Sequence, residues 1–119
     1  MTNEERMTRA YIEAVFFTET GDLDQPAADA ELTPLSRAQA YIDCRNFMWG
    51  VTEALHVPAF QIDWEQAGHD LWLTRQGHGV GFLDRDDSTY GIGPNGEPLK
   101  DIFTAMAKAM GSHDVYFQE

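Results

Sequence analysis

The sequence predicts an α+β domain in the order α-α-β-β-α-β, with a small antiparallel sheet of about three strands packed against helices. Three observations lead there. Two capped segments with helical apolar spacing open the chain, an alternating segment with glycines follows at 69–85, and a proline-started helical segment precedes a short apolar alternation at the end.

The first helix spans Thr2 to Phe17 in this reading. Thr2 or Asn3 caps it, Glu4 and Glu5 sit where the helix dipole favours acids, and Met7, Ala10, Tyr11, Ala14 and Val15 recur at helical spacing. Thr18 to Glu31 holds Gly21, Pro26 and five acids, and predicts an acidic loop. Thr33-Pro34 opens a second helix running to about His56, stopped by Pro58. Its apolar stripe is taken as Leu35, Ala38, Ile42, Met48, Trp49 and Leu55.

The segment from His69 to Arg85 predicts a β-hairpin turning at Gln76-Gly77. That register gives one apolar face, Leu71, Leu73, Val80 and Phe82, and sets His69 across from Asp84. Trp72 then lies over Gly79 and Gly81. It is either packed against them or is the centre of a flat platform, rimmed by Arg75 and His78, that docks a partner. Pro98 begins the third helix, with Leu99, Ile102, Phe103, Met106 and Met110 inward and Gly111 as its stop. Ser112 to Gln118 completes the pattern as a last strand.

At 119 residues and 13.4 kDa, residues 1–119 make one domain. Twenty Asp and Glu against eight Lys and Arg give a net charge of −12. Such a surface disfavours direct binding of nucleic acid or of anionic membrane. It suits solubility, a basic protein partner, or mimicry of nucleic acid. Cys44 is the only cysteine, so no intrachain disulfide forms, and a cytoplasmic location is expected, with no secretion signal at the N-terminus.

The motif His69-Asp70-x-Trp72-Leu73-Thr74-Arg75-x-Gly77-His78-Gly79-x-Gly81-Phe82-x-Asp84-Arg85 resembles a family of small acidic uncharacterised proteins carried by bacteriophages and mobile elements. Tyr11-Ile12-Glu13-Ala14-x-Phe16-Phe17-Thr18 and Asp63-Trp64-Glu65-Gln66-Ala67-Gly68 are similar to it as well, so the resemblance covers roughly residues 10–85. It implies no chemistry. It implies a host-takeover or anti-defence setting, of the anti-restriction or anti-CRISPR kind.

These readings converge on a non-enzymatic binding protein, without cofactor or metal, that engages a host protein with a basic surface. The expected acidic face is Asp22, Asp24, Asp29 and Glu31 with Asp84, Asp86 and Asp87. Two alternatives remain open. One is a metal-dependent hydrolase built on His69, Asp70 and Asp84, whose imidazole and carboxylates suit zinc or a harder ion. The other is a small homodimer pairing through the hairpin or the last strand. No nucleophile elbow or phosphate loop is present: Ser36, Ser88 and Ser112 lack a fixed partner, and acids follow the glycines.

Overall fold

The computed structural model describes residues 1–19, 31–77 and 81–118. It is a helical domain and corrects the α+β expectation. Helix α1 spans Asn3–Glu19, α2 Pro34–Trp49, α3 Trp64–Arg75, the short α4 Asp87–Tyr90, and α5 Leu99–Met110. The only paired strands among the described residues are two residues each, β1 (Glu31–Leu32) and β2 (Phe117–Gln118), joined antiparallel. No three-stranded sheet is present among the described residues, because the first strand of the predicted hairpin, 69–75, is the C-terminal half of helix α3 and Phe82–Asp84 form a helical turn.

The chain starts its helices where side chains satisfy free N–H groups. The backbone N–H of Glu5 donates to Thr2 Oγ1 at 3.1 Å, and that hydroxyl donates back to Glu5 Oε1 at 3.2 Å, a reciprocal cap. Thr33 Oγ1 accepts from the N–H of Ser36 at 3.2 Å, with Pro34 beginning α2. Asp63 does the same for α3, accepting from the N–H of Gln66 at 3.1 Å. Helix α5 follows Pro98 and stops at Gly111, whose φ of 74° favours glycine.

Helix α3 packs mainly on α1 and also contacts α5 and the turn at Phe82–Asp84. Leu71, Trp72 and Leu73 are consecutive and all buried, which a strand with one solvated face does not produce. Gly68, which the sequence suggests as a break, lies inside the helix. A Cβ there would come within 2.1 Å of the Met7 carbonyl oxygen, so glycine is what lets α1 and α3 touch backbone to backbone. Trp72 is fully buried, with its ring edge-on to Tyr11 at 5.5 Å and its indole N–H donating to Thr18 Oγ1 at 2.8 Å.

Helix α2 also departs from expectation. It turns Ser36, Ala40, Cys44, Phe47 and Met48 inward, while Leu35, Ala38, Ile42 and Trp49, assigned to the core from their spacing, are exposed. The smaller side chains let α2 approach its neighbours closely, and Phe47 anchors it by stacking on Phe82 at 5.6 Å. Phe82, Phe103 and Tyr90 complete this aromatic core.

Candidate functional site

Two ion pairs, each with one member drawn into the interior, tie the helices together. In the first, Asp70 of α3 is fully buried. It accepts from Arg85 Nη2 at 2.7 Å, Arg85 Nε at 3.0 Å and Gln66 Nε2 at 3.0 Å, and from the hydroxyl of Tyr90. A buried carboxylate needs such donors to offset its lost hydration. Asp70 holds the Arg85 guanidinium in its charged form, chiefly through these hydrogen bonds. Burial, then the Asp70 charge, push the Tyr90 phenol well above its ordinary pKa, so it donates. Lys100 Nζ extends the network by donating to the Arg85 carbonyl at 2.9 Å and pairing with Asp87 at 3.2 Å.

The second pair joins α3 to α2 and to the segment after α5. Arg75 Nη1 lies 2.8 Å from Asp43 Oδ2, and Arg75 Nε donates to the Gly111 carbonyl at 2.8 Å. Arg75 Nη1 also donates to Tyr11 Oη at 3.0 Å. Since a guanidinium only donates, the Tyr11 proton is left for His113 Nδ1, 2.7 Å away, which is therefore the bare ring nitrogen. Burial pushes Tyr11 well above the ordinary phenol range, against the opposing charge of Arg75. His113 is pushed down by burial and then by Arg75, against the weaker pull of Asp43 and Asp114.

These networks reassign the residues singled out by sequence. Arg75 belongs to the second ion pair, its side chain only 5 % exposed, and Trp72 is in the core, so neither forms a docking platform. Expected there as a third member, His78 lies outside the described residues, as do Asp22, Asp24 and Asp29. Glu31, Asp84, Asp86 and Asp87 are exposed, Glu31 on β1 and the others around the turn that leads into α4. They are thus on separate elements.

The expected His69–Asp84 contact is replaced by Asp70–Arg85, each one residue further along. His69 sits at the edge of that pair, its Nδ1 3.9 Å from Asp70 Oδ1 and without a hydrogen-bond partner among the described residues. With the Asp70 carboxylate occupied by Arg85, Gln66 and Tyr90, His69, Asp70 and Asp84 do not make a ligand set. Among the described residues no group of three or more His, Cys, Asp or Glu side chains is arranged to hold a metal ion. Cys44 is buried, and desolvation pushes its thiol up to about 12, away from nucleophilic use.

Sequence reasoning missed Asp43, Tyr11, Tyr90 and His113 as a hydrogen-bonded polar interior, because their partners are up to 102 residues distant.

Fold and site together define a small helical domain whose buried charges hold its elements together and whose free charge is exterior. Comparison with known proteins gives no match to any family model, curated protein or solved structure. No helix among the described residues is long and apolar enough to cross a membrane.

Proposed function

We propose that this protein is a non-catalytic acidic binding protein that engages a basic, nucleic-acid-binding protein of a bacterial host. The observation that carries the reading is where its charges reside. Arg75 and Arg85 are withdrawn into pairs with Asp43 and Asp70, which leaves eighteen acids against six cations for the rest of the chain. A protein with that imbalance competes with nucleic acid for lysine and arginine patches and is steered to them over long range. The resemblance to proteins of phages and mobile elements fits an anti-defence role of this kind, in the host cytoplasm. Glu31, Asp84 and Asp86 are exposed and available for contact.

The test is affinity capture from a bacterial lysate at low and high salt, followed by titration of the captured protein. Asp84→Lys with Asp86→Lys should lower the affinity about tenfold, about 1.4 kcal/mol, and flatten its salt dependence. Asp87 is left intact because it holds Lys100. A second variant reverses Asp22 and Asp24. Unchanged binding in both variants would overturn the acidic-surface reading.

A further inference from the structure

We draw no further inference here: the strongest candidate, the exposed apolar side of α2 formed by Leu35, Ile42 and Trp49, carries none because nothing in the structure shows what covers it.

Discussion

The Asp70 and Asp43 ion pairs use the same chemistry for different tasks. Asp70 and Arg85 are 15 residues apart and close a local loop, fixing the turn at Phe82–Asp84 and α4 against α3. Asp43 and Arg75 are 32 apart, and Arg75 reaches on to the carbonyls of Met110 and Gly111 and to Tyr11. That second network gathers α1, α2, α3 and the end of α5 at one point. The first centres on a fully buried carboxylate held by Arg, Gln and Tyr donors, with Arg85 31 % exposed at its rim. The second ends in a histidine whose ring accepts from Tyr11. A local pair shapes a loop, whereas a long-range pair assembles termini, and the two should fail differently.

The largest expected effect is at Asp70. Asp70→Ala strands Arg85 and leaves the Tyr90 hydroxyl unpaired, and should cost about 3–5 kcal/mol in urea unfolding. Replacing Asp70 and Arg85 together by Leu and Met should recover most of that loss, because neither charge is then stranded. A loss under about 1 kcal/mol for Asp70→Ala would mean that the buried carboxylate does not hold the turn and α4, and the contrast would fall. Arg75→Ala comes next. Tyr11 keeps its bond to His113, so no buried hydroxyl is orphaned as Tyr90 is by Asp70→Ala, and the expected cost is about 2–3 kcal/mol. Its distinguishing sign is local: amide exchange should rise at Thr33, whose N–H donates to the Tyr116 carbonyl, and in β1–β2. The same change in exchange after Asp70→Ala, at matched overall stability, would erase the distinction.

Capping chemistry made the starts of α1, α2 and α5 legible from sequence: Thr2, Thr33-Pro34 and Pro98 lie where the helices begin. Helix α3 was illegible because it is covered by α1, by α5 and by the turn that follows it. A helix buried on nearly every side loses its polar face and with it the period of 3.6. What remained, Leu71 and Leu73 alternating toward Val80 and Phe82, imitated a strand pair. Asp63 at the cap and Gly77 beyond the end, with φ of 70°, were the contrary signs. For α2 the large residues misled. Leu35, Ile42 and Trp49 outweighed Ala40 and Cys44 in the pattern, although the small residues are the ones that admit close packing. The hairpin register placed His69 opposite Asp84, one residue short of each partner in the true Asp70–Arg85 pair. The motif therefore encodes a contact within the fold, and its ends were legible as partners while their geometry was not.

The smallest effect separates the two networks by pH. His113 faces Tyr11 on α1, Asp43 on α2 and Arg75 on α3, with Asp114 beside it on its own segment. Its backbone N–H donates to Gln76 Oε1 at 2.8 Å, and Gln76 Nε2 donates to its backbone carbonyl at 3.1 Å. Burial and the Arg75 charge lower its folded pKa below the unfolded value of about 6.5. Between those two values the unfolded chain binds more protons. Stability is thus fully present above about pH 6.5 and is lost as pH falls through that value toward the folded pKa, at no more than about 1.4 kcal/mol per unit. Protonation at Nδ1 also ends its acceptance from Tyr11, so the loss should begin in β1–β2 exchange. His113→Gln should remove this part of the slope, while His69→Gln, at the edge of the Asp70 pair, should leave it in place. A slope that follows His69 instead would assign the acid sensitivity to the local pair and reverse the contrast.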